Sequence, residues 1–374
     1  MQCPLTLIAM LPPMLSPRGA TLAVLLALTG CFVHAEAPAL APAGPAGGHA
    51  PPRFDAARAC VDWRAAASGD SAALEHDAFA ELDPSHSCHV AVRYGPSGPR
   101  PDATPAGCGY PRGPATFDAI ARAADRYERI AAGAGPTAEP LPIDLACALP
   151  DDARRAAAGH NARTLRALAK RLATRPPYPY AAISTFGFGH GAQSDSVLVP
   201  YRPGAACPAL GKRDMDLFSV NITRAGRAAE AYFAGVAPVV TVSGGAVHST
   251  LVEAFLLQWL LSCRLGVPAD AVLVDPCADH THTNIRNTGA LVREIGGRTA
   301  YLLTDDGLQS GYLEEWTSFD LIGGSIDQRS LRDFGHLLGS WRRASVGMPA
   351  GFWYTPYRFW AEPEDGLGSF TCVP

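Results

Sequence analysis

The sequence predicts an α/β protein, a Rossmann-like three-layer sandwich around a mainly parallel sheet, joined to a loop-rich, disulfide-stapled N-terminal region. Three observations carry this prediction. Short β-branched runs alternate with longer helical patterns between Ala237 and Asp306. Each run is continuously apolar rather than alternating, as a strand covered on both faces requires. The segments between runs are long enough to cross back as helices, which parallel neighbours need.

The first core strand is Tyr180–Phe186, separated by Pro176-Pro177 from an arginine-rich amphipathic helix over Asn161–Ala173. It runs into Gly187-Phe188-Gly189-His190-Gly191. The second run, Val239-Val240-Thr241-Val242-Ser243, breaks at Gly244-Gly245. A helical pattern from Glu253 to Leu261 then ends near Gly266-Val267-Pro268. Ala271–Val274 is the third strand and leads through Asp279-His280-Thr281-His282-Thr283-Asn284 into a helix ending at Ile295. Gly296-Gly297 closes that helix before a fourth run, Thr299–Thr304. Phe319–Ile322 reads as a fifth strand and Leu331–Trp341 as a final helix. The aromatic tail Gly351–Trp360 reads as a flap packed over the domain.

At 374 residues, 48% of them apolar, the chain is large enough for one big domain or two with a substantial core. A net charge of −4 offers no basic face and argues against nucleic acid. The N-terminus is a targeting segment. Arg18 precedes the apolar Leu22–Leu28, too short to span a bilayer, and Met14 offers an alternative start. Leu28-Thr29-Gly30-Cys31 resembles a bacterial lipobox, which makes Cys31 the acylated residue. Val33-His34-Ala35 offers a competing cleavage site that would release a soluble protein. Both export the chain, to the periplasmic face of a bacterial membrane or to the periplasm.

The expected organisation is a signal peptide over 1–30 and an Ala/Pro/Gly tether over 31–52. An N-terminal helical and loop-rich region covers 53–175, with helical patterns at Phe54–Ala67 and Thr116–Ala132. The α/β domain covers 176–345 and the aromatic tail 346–374. Of ten cysteines, eight remain once Cys3 and Cys31 are set aside. An even count in an exported chain favours disulfides, with the pairing open. The absence of a C-x-x-C pair argues against a zinc ribbon.

In an open α/β sheet ligands bind beyond the C-terminal strand ends, so the candidate loops follow Phe186, Ser243, Asp275 and Thr304. The glycine turns at Gly187, Gly189, Gly244 and Gly245 are expected to bring backbone N–H groups to an anion. No helix follows Gly187–Gly191 at once, so a dinucleotide site is not expected. Ser243 lacks the G-x-S-x-G surroundings of a nucleophile elbow. Asp275, Asp279, His280 and His282 could hold a metal, but a polar loop with Thr281 capping the next helix is the preferred reading, and no metal is assigned. Asn284 then sits in the first turn with an amide for a ligand. Arg224, on a helix capped by Asn221 or Thr223, is expected to supply fixed positive charge.

Several of these residues resemble the YdcF-like family, also called the SanA/ElyC type. Val242-Ser243-Gly244-Gly245, Glu253-Ala254, Gly266-Val267-Pro268 and Thr281-His282-Thr283-Asn284 match its "SGG", "EA", "GVP" and "TxxN" motifs in order. Arg224, Ala228 and Gly235 resemble the helix before the SGG strand, and the likeness spans roughly residues 180–310. It implies a binding site formed by Gly187, Gly189, Arg224, Ser243, Gly244, Gly245, Glu253, Thr281, Asn284 and Thr304. It also implies a small polar or anionic ligand: nucleotide-like, phosphorylated or lipid-linked. The family's S-adenosylmethionine is set aside for an exported protein, and no cofactor is assigned. The family commonly carries a histidine and an arginine after Thr304, where this chain has Asp305-Asp306-Gly307. That departure opens a second reading, a non-enzymatic, lipid-anchored scaffold.

Overall fold

A computed structural model describes residues 88–356 apart from 104–106, 112, 135–144, 146, 148, 175–177, 190–197, 203, 212–217, 248–249, 315–325, 327–329, 331–337 and 348–349. The leader, Cys31, the tether, the Phe54–Ala67 pattern and the Phe319–Ile322 run lie outside them.

The chain folds as a mixed α/β protein on a six-stranded, mostly parallel sheet. The described strands are β1 (Val92–Gly95), β2 (Gly98–Pro101), β3 (Ala182–Phe186), β4 (Val240–Ser243), β5 (Val272–Asp275), β6 (Ala300–Leu303), β7 (Ser340–Arg343), β8 (Ser345–Val346) and β9 (Gly351–Thr355). The helices are α1 (Pro114–Ala131), α2 (Asp151–Thr174), α3 (Phe218–Phe233), α4 (Glu253–Trp259), α5 (Thr281–Glu294) and α6 (Leu308–Glu314). The sheet order is β5-β4-β3-β6-β9-β7. β5, β4, β3 and β6 run parallel, whereas β9 and β7 are antiparallel to their neighbours.

Every residue of β3, β4, β5 and β6 is buried, which explains their largely apolar character. α4 is buried on all sides and continues through a π-helical turn at Leu260–Arg264. The register pairs Phe186 with Ser243 and Ser243 with Asp275, while Thr185 pairs with Leu303. Ser243, Asp275 and Thr304 therefore share one end of the sheet, as the parallel arrangement predicts. β4 and β5 build outward on one side of β3 and β6 lies on the other, so strand order reverses at β3/β6.

β5 would expose an edge, and α2 covers it. The Asn161 side chain donates to the Val274 carbonyl and accepts from its N–H, both at 2.9 Å. His160 Nε2 lies 2.7 Å from the Val272 carbonyl. These side chains satisfy backbone groups that a neighbouring strand would otherwise take.

Three expectations change. α2 begins at Asp151, earlier than the predicted Asn161, because the early turns Ala153, Ala157 and Ala158 are also buried. Trp341 belongs to strand β7 rather than to a helix, its indole donating to the Leu313 carbonyl at 2.8 Å. The described part of the aromatic tail is no flap. Phe352, Trp353 and Tyr354 form β9, an inner strand between β6 and β7, where both faces need apolar cover. β1 pairs with β8, and Tyr110 and Thr299 tie the N-terminal segment to the starts of the core strands.

Three disulfides join Cys88–Cys108, Cys147–Cys277 and Cys207–Cys263. They reach well beyond the N-terminal region, since Cys277 and Cys263 belong to the sheet's own connections. Such bridges point to an oxidising compartment. Cys60 and Cys372 lie outside the described residues. No described helix is long and apolar enough to cross a membrane.

Candidate functional site

The two glycine turns at the ends of β3 and β4 are stitched to their neighbours. The Gly187 N–H donates to the Ser243 carbonyl at 2.8 Å, and the Gly244 N–H to the Asp275 carbonyl at 3.0 Å. Gly245 donates to the Ala278 carbonyl at 2.6 Å. This corrects the expectation that these turns offer backbone donors to an anion, because their N–H groups are used inside the protein. Glycine is needed for space instead. A Cβ on Gly187 or Gly244 would lie 2.5 Å from Glu253 Oε2. Gly244 also holds φ at 149°, which disfavours a side chain.

Beneath the turns lies a buried polar cluster. Ser243 Oγ is 2.6 Å from Asp275 Oδ2 and 2.7 Å from the Asn284 amide. A hydroxyl carries one proton, so when Ser243 donates to Asp275 the Asn284 amide must turn its Nδ2 toward Oγ. Asn287 Nδ2 donates to Asp275 Oδ2 at 2.9 Å, and the Cys277 N–H reaches Oδ1 at 3.1 Å. Burial pushes the Asp275 carboxyl up, against these hydrogen bonds, which favour its charged form. Asn284 is thus turned inward to Ser243 rather than outward to a ligand. It locks β4 to the first turn of α5.

Glu253 opens α4 and is 7% exposed. Its carboxyl lies against both Gly187 and Gly244. Burial raises it to about 7, opposed by the charge of Arg224 and by the Gly189 N–H. That value leaves the group able to hold or release a proton near neutrality.

Arg224 is not available as a free cation. Its Nε donates to Asp305 Oδ2 at 2.7 Å, and Nη1 donates to the carbonyls of Phe186 and Gly187 at 2.7 and 2.8 Å. Three residues along α3, Arg227 pairs with Asp306 at 2.5 Å and donates to the Thr304 carbonyl at 2.8 Å. The acidic pair after Thr304 is therefore neutralised by two arginines one helical turn apart. The Arg224–Asp305 pair spans the ends of β3 and β6, where strand order reverses. α3 already begins at Phe218, so Asn221 is no cap. Its side chain instead accepts from the Phe188 N–H at 2.9 Å and donates to the Phe188 carbonyl at 2.8 Å. This fixes the loop after β3 and leaves the Phe188 ring 40% exposed.

Of the residues singled out from sequence, Gly187, Gly189, Ser243, Gly244, Gly245, Glu253 and Asn284 converge at the ends of β3 and β4. Arg224 lies alongside, already occupied. Thr304 is fully buried, its hydroxyl donating to the Asp305 carbonyl, and so presents nothing to a ligand. Thr281 does not cap α5; His280 holds that place, with Thr283 Oγ1 accepting from the His280 N–H at 2.8 Å. No described group of three His, Cys, Asp or Glu side chains is arranged to hold a metal ion. Asn287 was missed. Its signal was its position three residues after Asn284, on the same helix face.

No family model, curated protein or solved structure matches the chain.

Proposed function

We propose that this chain is an exported cell-envelope protein of the YdcF/ElyC type, built as a Rossmann-like sandwich and anchored through an acylated Cys31. It binds or processes a polar metabolite, nucleotide-like, phosphorylated or lipid-linked, at the ends of β3 and β4. The observation that carries this reading is Glu253. A carboxyl set among bare glycine backbone at the sheet's C-terminal edge, with a proton affinity near neutrality, has the character of a functional group rather than a packing one. The disulfides support export, and the ordered "SGG", "EA", "GVP" and "TxxN" motifs support the family.

The test is metabolite capture by the purified full chain, read by mass spectrometry, for wild type against Glu253→Gln. A polar metabolite retained by wild type and lost from the variant supports the reading. Equal retention, or none, removes it. For the anchor, Cys31→Ser should abolish labelling by a fatty-acid analogue. A labelled variant, or an unlabelled wild type with its N-terminus at Glu36, refutes it.

A second reading, the non-enzymatic envelope scaffold, is favoured by one observation. The Gly187, Gly244 and Gly245 N–H groups and the Arg224 guanidinium are engaged within the protein. Unchanged envelope function in Glu253→Gln would favour the scaffold.

A further inference from the structure

The groups around Glu253 fix what kind of polar atom can approach it. The donors of the site are already committed: the Gly187, Gly244 and Gly245 N–H groups to carbonyls, and Ser243 to Asp275. Arg224 serves Asp305 and two carbonyls. The acceptors are not committed in the same way. Among the described residues no side-chain donor is hydrogen-bonded to the Glu253 carboxyl, and the support it receives is the Gly189 N–H and the field of Arg224.

The charge that acts on Glu253 is Arg224 from α3, with Asp305 paired behind that arginine. Arg224 and Asp305 cancel as a pair, so an ionised Glu253 has no full countercharge. An oxyanion arriving there would meet the Glu253 carboxylate while the donors named above are already engaged, which opposes binding. A cationic donor would supply both the missing hydrogen bond and the missing countercharge.

We propose that Glu253 receives a protonated amino group of the ligand, so that the site recognises an amine-bearing metabolite through an ammonium–carboxylate contact. This rests on the strand-end site being a ligand site, and it names the ligand's chemistry. An ammonium binds the ionised carboxylate. Affinity should therefore rise with pH through the titration of Glu253 and level off above it, whereas an oxyanion would give the opposite slope.

The experiment titrates the full disulfide-bonded chain with ethanolamine, which stays protonated over the range used, and separately with sulfate, which does not titrate. Amide resonances of Gly187, Gly189 and Gly244 are followed at pH 6 and pH 8. Because only the ionised fraction is competent, ethanolamine should bind about tenfold more tightly at pH 8 than at pH 6. Glu253→Gln, which keeps shape and removes charge, should weaken it about tenfold or more at pH 8 and flatten the pH dependence. The wild-type pH comparison stands even if the variant does not fold. Ethanolamine binding that ignores pH or the substitution, or that is absent at pH 8, overturns the proposal. Sulfate binding that strengthens toward pH 6 also overturns it, and assigns an anion instead. The ligand-site reading fails separately, when metabolite capture gives nothing that depends on Glu253.

Discussion

Replacing Glu253 with Gln should stabilise the protein, and increasingly so as pH rises. Burial lifts this carboxyl from its ordinary 4.5 to about 7. A carboxyl raised in this way favours folding below its unfolded value, and that contribution is lost as pH climbs toward the folded value. The reason is that the unfolded chain gives up its proton first. Each pH unit between the two values is worth about 1.4 kcal/mol. Between pH 5 and pH 8 the stability gap between Glu253→Gln and wild type should therefore widen by roughly 2–3 kcal/mol. Glu294, buried against Arg126 and also raised to about 7 by burial, titrates in both proteins and cancels from the comparison. The assay is urea unfolding of the two proteins at pH 5, 6, 7 and 8. A gap independent of pH would mean that Glu253 titrates in the folded protein as it does in water. A gap that closes with rising pH would mean that Arg224 holds it ionised. Either result refutes the argument from burial.

Other outcomes follow from the same geometry. Asn284→Ala should cost roughly 1–3 kcal/mol, because it strips a partner from buried Ser243; an unchanged urea midpoint would return Asn284 to a ligand-facing role. Asp305→Ala leaves the Arg224 guanidinium buried without its carboxylate and should cost roughly 3–5 kcal/mol, whereas Asp306→Ala, at a side chain 53% exposed, should cost much less; equal losses in thermal unfolding would contradict this ranking. Cys277→Ser opens the bridge to Cys147, 130 residues away in sequence. It should cost on the order of 5 kcal/mol by loop entropy, and it loosens the loop whose Cys277 N–H supports Asp275. Unfolding of this variant at the wild-type midpoint would place the constraint elsewhere.

The parallel core was legible because its cause is local. Val239–Ser243, Ala271–Val274 and Thr299–Thr304 must be apolar on both sides to lie inside a covered sheet, and that requirement is written directly into consecutive residues. The glycines at 187, 244 and 245 were legible for the same reason: a missing Cβ is visible in sequence, although the neighbour that demands it is not. Their use was misjudged, since a sequence shows that a backbone N–H exists and not where it points. The tertiary structure spent those donors on Ser243, Asp275 and Ala278. The acids after Thr304 stood out only as a departure from the family's histidine and arginine, because their partners lie about 80 residues upstream in α3, a distance across which spacing carries no information. Gly351–Thr355 was read as a cover because aromatic runs suit either a flap or an inner strand. Only the arrival of β7 on its far side decides between them. Local periodicity fixed the four parallel strands. Long-range pairing decided which charges are neutralised, committing Arg224 to Asp305 and leaving Glu253 only the field of that arginine.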